Sequence, residues 1–223
     1  MKLHAMIAVG VLVVGGSLWL TNMNAKKLTN EKALLPLEKL VEGNSRFSEM
    51  HPQHPDEGFV RLKQVSEAQH PFAAIVTCSD SRVPPELIFD QGLGDLFVIR
   101  NAGNIISGVE IGSLEYAVEH LHVPLIIIMG HDKCGAIGAF VHHEMPHGHI
   151  KEIMDSIKAE KEIAEISPYA AHYLDKCIDA NALHGVPQVL KQSSLIREKV
   201  INQSLEIYAA RYNFSDGTIM LLK

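Results

Sequence analysis

Cysteine is scarce in this chain. There are 3 in 223 residues, an odd and small number that supports no disulfide framework. Aromatic residues are 6% of the chain, too few for a surface on which bases would stack. Cationic charge is not in excess: 20 Lys and Arg stand against 26 Asp and Glu, so nothing suggests a nucleic-acid partner. Beyond residue 25 there is no low-complexity linker and no internal repeat. Residues 26–223 therefore read as one domain, long enough to bury a full core.

What the chain does have begins at its amino end. Lys2 precedes an apolar run over residues 5–20, and a polar stretch leads to Ala25. A positive start, an apolar middle and a polar end read as an export signal over residues 1–25. The run is slightly long for a signal core and short for a membrane span. Ala25 suits a cleavage point, Met23 does not, and no nearby Cys offers a lipid site. Cleavage and an uncleaved amino-terminal anchor both stay open. Either one predicts a periplasmic protein, touching the membrane only through this segment.

Two short stretches carry the chemistry. Cys78-Ser79-Asp80-Ser81-Arg82 closes an apolar run over residues 72–77. His131-Asp132-Lys133-Cys134-Gly135 closes another over residues 125–129. Both runs are rich in Ile, Val and Ala and do not alternate, as expected of strands buried on both faces of a parallel sheet. Sites in such sheets form beyond the carboxyl ends of the strands. Cys78, His131 and Cys134 are thus candidates to converge there. Two thiolates and an imidazole suit zinc and leave a fourth position open. The spacing of His131 and Cys134 would put them on one face of a helix starting after Gly130. A lone Cys78 reads equally well as a buried thiol, but Asp80 and Arg82 beside it have no place in an apolar core unless paired. Cys177, left over, reads as a small buried hydrophobe in a helix.

Helices are expected over residues 29–50, 59–69, 108–121 and 135–141, with another strand over 95–101. Strand, helix, strand in this order signals a parallel sheet with crossover helices, an α/β fold. Residues 150–203 read as mostly helical, broken at Ser167-Pro168 and at Gly185-Val186-Pro187. A strand is expected over 205–212, and Asp216-Gly217 turns the chain so that 218–222 pairs back. The four histidines of residues 142–149 suggest either a surface metal site or a solvated loop; the Met-Pro and the Gly among them favour the loop.

The two stretches together resemble the β-class carbonic anhydrase pattern. The similarity extends through Gln69-His70-Pro71, Phe89-Asp90-Gln91-Gly92, Arg100-Asn101-Ala102-Gly103-Asn104 and Leu114-Glu115-Tyr116-Ala117. It implies a three-layer fold, a mostly parallel sheet flanked by helices. It also implies zinc held by Cys78, His131 and Cys134. The activity implied is hydration of carbon dioxide to bicarbonate and a proton, by attack of zinc-bound hydroxide. Asp80, oriented by a bidentate pair with Arg82, would accept a hydrogen bond from the zinc-bound water, or would itself close on the metal. The counterpart of Gln69 comes from a partner subunit, which implies a homodimer or a dimer of dimers. Phe97, Ala102 and Gly135 match residues that line the pocket. Ala102 is often Val in the family, so the pocket is expected to be roomier. Tyr116 and His120 match positions linked with proton transfer, and read as readily as a packed helix face. Asn101 would shape its loop. Some bacterial members carry a regulatory bicarbonate pocket with a Trp where this chain has Ile75; Arg100 alone does not make that pocket. Two other readings fit the same residues. One is a hydrolase of carbon disulfide or a related small molecule. The other is a non-catalytic zinc-stabilised assembly protein, which would have no need of Gln69, Asp80 and Arg82.

Overall fold

Five strands form one sheet in the order β2-β1-β3-β4-β5 in a computed structural model that describes residues 35–223. The segment read as a signal or anchor lies outside the described residues. Among those described, no helix is long and apolar enough to cross a membrane. Residues Pro36–Lys223 make one compact unit.

The central strands form because their residues can be buried on both sides. Strand β1, Ala73–Cys78, and strand β3, Leu125–His131, are buried at every position. They lie side by side and parallel, with Thr77 beside Met129. Thr77 is the polar member of this run, and its hydroxyl donates to the Met129 carbonyl at 3.0 Å. Strand β2, Leu96–Asn101, pairs parallel with β1 on one side, and β4, Glu206–Tyr212, pairs parallel with β3 on the other. Strand β5, Ile219–Leu221, returns antiparallel after the turn at Gly217, as the sequence suggests.

Three apolar clusters define the layers. On one face, Ala73, Ile75, Ile127 and Met129 pack under Leu40 of helix α1, Pro36–Ser48, and Ile88 of the short helix α3, Pro85–Ile88. Helix α2, Phe59–Gln64, precedes β1. On the other face, Ala74, Val76, Ile126 and Ile128 pack against Leu114 of α4, Gly108–Glu119. The third cluster joins Cys78 and Cys134 to Ile137 of α5, Gly135–Val141, Ile157 of α6, Ile150–Lys158, and Ile163 of α7, Lys161–Ala164. Cys177 and Ile178 of α8, Tyr173–Gln192, complete it. Helix α9, Ser194–Ile201, leads into β4.

Two elements differ from their sequence reading. Helix α2 stops at Gln64 rather than near residue 69, because residues 66–70 are exposed, mostly polar and have no face to bury. The Ser66 hydroxyl closes the helix end by donating to the Lys63 carbonyl at 2.9 Å. The break expected at Gly185-Val186-Pro187 does not occur, and α8 runs through all three residues. Pro187 costs a helix interior about 3 kcal/mol. Each large side chain that α8 buries returns about 1.5–3 kcal/mol, and Ile178 and Val189 are both fully covered. Gly185 lets the helix lie close on β3, since a Cβ there would sit 2.9 Å from Ile128 Cγ2.

Candidate metal centre

Cys78 ends β1 and His131 ends the neighbouring strand β3. By the two-residue period, Cys78 shares a face with Ala74 and Val76, whereas His131 shares the opposite face with Ile127 and Met129. They meet only because both lie at the carboxyl edge, where the sheet no longer separates its two sides. Cys134 arrives by a turn. Strand β3 continues through His131, Lys133 takes a left-handed conformation at φ 51°, and Cys134 caps the amino end of α5. The helical face expected to join His131 and Cys134 is therefore replaced by a tight turn, which gives the same convergence. The Sγ atoms and the imidazole nitrogen lie within 4.8 Å of one another, and all three residues are buried.

The His131 ring shows which atom faces the centre. Its Nδ1 is 2.8 Å from the Asp132 carbonyl oxygen. A carbonyl only accepts, so Nδ1 carries the proton and Nε2 keeps its lone pair. Nε2 is buried and has no hydrogen-bond partner. A lone pair left unmatched beside two sulfurs fits a metal ligand, and this donor set suits zinc. The sulfurs are electrostatically unlike. The Cys78 thiol is held well below the usual thiol range, chiefly by a hydrogen bond from Cys134, with help from the Gly103 N–H at 3.3 Å. Cys134 is raised, because it donates to Cys78 and because it is buried.

Asp80 stands over this set. One of its oxygens is 4.0 Å from His131 Nε2. Arg82 grips it twice, Nε to Oδ1 at 2.9 Å and a terminal nitrogen to Oδ2 at 2.8 Å, and the Arg82 N–H adds a third bond at 3.0 Å. The guanidinium beside Asp80 holds its carboxyl well below the usual carboxylate range.

A sequence model of the carbonic anhydrase family matches residues 73–219. Carbonic anhydrase 2 of Mycobacterium tuberculosis is 34% identical over 87% of this chain and 95% of its own length. A carbonic anhydrase of Mycolicibacterium smegmatis is 32% identical over the same shares. The solved structure of the β-carbonic anhydrase CcaA superposes with a TM-score of 0.65, covering 84% of this chain and 87% of that one at 27% identity. The chain belongs to the β-class carbonic anhydrases.

Within this β-class carbonic anhydrase, the pocket residues expected from sequence fall into two groups. Ala102 and Gly135 flank the donor set: Ala102 precedes the Gly103 N–H that meets Cys78, and Gly135 follows Cys134. Gln69 and Phe97 are not brought there. Gln69 lies in the exposed loop ahead of β1, and Phe97 pairs with Ala74 near the start of that strand. A six-residue strand, roughly 20 Å long, separates that end from Cys78. Phe97 stacks instead with Tyr116 at 6.2 Å, and Tyr116 with His120 at 5.1 Å, in a partly exposed aromatic row. Asn101 shapes its loop as expected, exchanging bonds of 2.7 and 2.8 Å with the Ile105 backbone. Cys177 is fully buried in α8, the bland reading of that residue. Residues 142–149 form an exposed connection between α5 and α6, and the donor atoms that gather for a metal among the described residues are those of Cys78, His131 and Cys134.

The structure adds supports that the sequence reading missed. Arg100, on β2, donates to the carbonyls of Cys78 at 3.1 Å and Asp80 at 2.7 Å, fixing the loop that carries both. Gly103 adopts φ 81°, which turns its N–H toward Cys78, and Asn181 of α8 holds its carbonyl at 2.9 Å. Arg211 of β4 bonds the Asp132 carboxylate at 2.7 Å and steadies the residue that orients His131. The Asn-Ala-Gly-Asn of residues 101–104 was the available signal for the turn at Gly103. Arg211 had none without the strand order.

Proposed function

We propose that the protein catalyses the reversible hydration of carbon dioxide to bicarbonate and a proton at the Cys78–His131–Cys134 centre, with zinc as its cofactor. The observation that carries this reading is the pairing of an unmatched buried lone pair on His131 with a carboxylate, Asp80, that Arg82 holds beside it. Zinc bound there supplies Lewis acidity, which makes water a nucleophile near neutral pH. Two thiolates offset the ion's charge, so the chain's own groups must do more of the work. Asp80, kept anionic by Arg82, accepts a hydrogen bond from the attacking water and fixes its orientation. The Asp80–Arg82 pair also restrains the carboxylate from becoming a ligand itself. The Gly103 N–H favours the Cys78 thiolate, and the Asp132 carbonyl keeps His131 in the tautomer whose Nε2 lone pair is free. Ala102 and Gly135 leave the approach open to a small linear substrate. The reaction adds water across one C=O bond and releases a single proton to solvent.

Assembly and location belong to the same proposal. Gln69 and Phe97 serve the pocket only if a second copy of the chain delivers them, so the working unit is a homodimer or a dimer of dimers. Residues 1–25 send the protein to the periplasm, as a cleaved signal or a retained anchor. Amino-terminal sequencing of the exported protein distinguishes these.

Stopped-flow hydration of carbon dioxide by zinc-loaded protein tests the activity. Wild type is expected to be active, and His131→Ala to lose both metal and activity. A fully zinc-loaded wild type that hydrates no carbon dioxide sinks the assignment, and release of hydrogen sulfide from carbon disulfide by that inactive protein would reassign the substrate.

A further inference from the structure

We infer that Phe214 is a positioning residue that clamps Arg82 onto Asp80 and so keeps the carboxylate away from the open metal position. This rests on the reading of Cys78, His131 and Cys134 as a metal set with a fourth position free. Phe214 lies beyond β4 in the turn to β5 and is distant in sequence from both motifs. Its ring nevertheless touches one residue of each. The Arg82 guanidinium lies 4.3 Å from the ring centroid, and the His131 imidazole lies 5.3 Å from it at 32°. Its own N–H donates to the Asp132 carboxylate at 3.1 Å.

Arg82 needs such a support. Its side chain is 53% exposed, and exposed ion pairs hold weakly because water competes for both partners. A planar guanidinium lying over an aromatic face gains a cation–π attraction and loses some of its freedom to swing out. The ring is itself held. Tyr212 meets it edge-on at 5.5 Å. The turn beyond is tied to α1, where the Asn44 amide donates to the Gly217 carbonyl at 2.8 Å and accepts from the Ile219 N–H at 2.8 Å. The face under Arg82 is therefore a fixed platform. Without it Arg82 leaves Asp80 more often. The freed carboxylate, already 4.0 Å from His131 Nε2, then competes for the open position.

The test reads the open position directly. Cobalt-loaded protein is titrated with azide and followed by its visible absorption. Phe214→Leu removes the aromatic face but keeps an apolar side chain. It is expected to weaken azide about fivefold or more, since a competing ligand lowers the apparent affinity by the fraction of open sites. Phe214→Tyr keeps the face and should stay within about twofold of wild type. In an Asp80→Asn background the Leu substitution should change azide affinity by less than about twofold, because the competing carboxylate is gone. Wild-type azide affinity in Phe214→Leu overturns the inference. So does an equal loss in the Asp80→Asn background, which would mean that the ring acts by holding His131. If Phe214→Leu does not fold, Phe214→Met gives the same reading. The measurement needs no hydration assay. Failure of cobalt to bind at all would instead overturn the metal reading beneath it.

Discussion

Asp80 and Glu160 show two opposite ways in which surroundings fix the state of a carboxyl group. Asp80 is held anionic by Arg82. Asp80→Asn is expected to keep the fold and the metal but to slow hydration by about tenfold or more, because a neutral amide is a poor acceptor and also donates. Arg82→Ala should act through the same carboxylate, so the double variant should lose far less than the product of the two single losses; stopped-flow rates for the three variants decide this. Glu160, between α6 and α7, is 4% exposed, and burial with the nearby Glu162 charge raises its pKa to about 8. One of its oxygens has no hydrogen-bond partner. A carboxyl raised in the fold favours the protonated state there. The unfolded chain releases its proton first as pH climbs past the ordinary carboxylate value, so stability falls from about pH 4.5 to about pH 8 and then levels. Glu160→Gln removes that loss. Its melting temperature should exceed that of wild type by a margin that widens between about pH 5.5 and about pH 8.5, and a margin independent of pH would show that Glu160 ionises freely. At this scale the sequence was partly legible. Cys78, Asp80, Arg82, His131 and Cys134 sit in two unbroken motifs, and their neighbours advertise them. Phe214, Arg211 and Asn181 reach the site from a turn, a strand and a helix far along the chain, and nothing local marks them. Glu160 looks like any surface acid until α6, α7 and α8 close over it.

The elements followed from their apolar patterns wherever a single period dominated. Strands β1 and β3 announced themselves as unbroken apolar runs, and α4 as a helical stripe. Where local chemistry and packing disagreed, packing prevailed. The Gly-Val-Pro of α8 reads as a break in isolation, yet the sheet beneath holds the helix straight through it. Gly185 marks that contact. Gly185→Val should destabilise the protein by about 1–3 kcal/mol, since the added methyls have no room above Ile128. Denaturant unfolding measures it, and a wild-type midpoint would mean that α8 can lift off β3 without loss. The turn between His131 and Cys134 teaches the converse. Spacing alone suggested a helical face, but a spacing of three is met equally by a turn with one left-handed residue.

At the scale of the whole molecule, apolar surface stays exposed among the described residues. Phe59, Val60 and Val109 are 69%, 73% and 77% exposed, and Gln69 and Phe97 lie at the end of the sheet away from the metal set. Phe59 and Val60 are adjacent exposed apolar residues, a pair that suits a contact surface. Light scattering on the active protein should give a dimer or a multiple of it; a monodisperse, fully active monomer would leave Gln69 and Phe97 without a role. The resemblance already assigned Gln69's role to a partner subunit; that Phe97 lies at the same end of the sheet depends on the strand pairing, which the sequence alone does not show. The opposed origins of Cys78 and His131 carry one more implication. Sliding β3 by a single step along β1 would send the imidazole through to the wrong side of the sheet. A chain so misaligned would not present its three donors in the arrangement described above. An ion that needs that arrangement would favour the correctly paired chain.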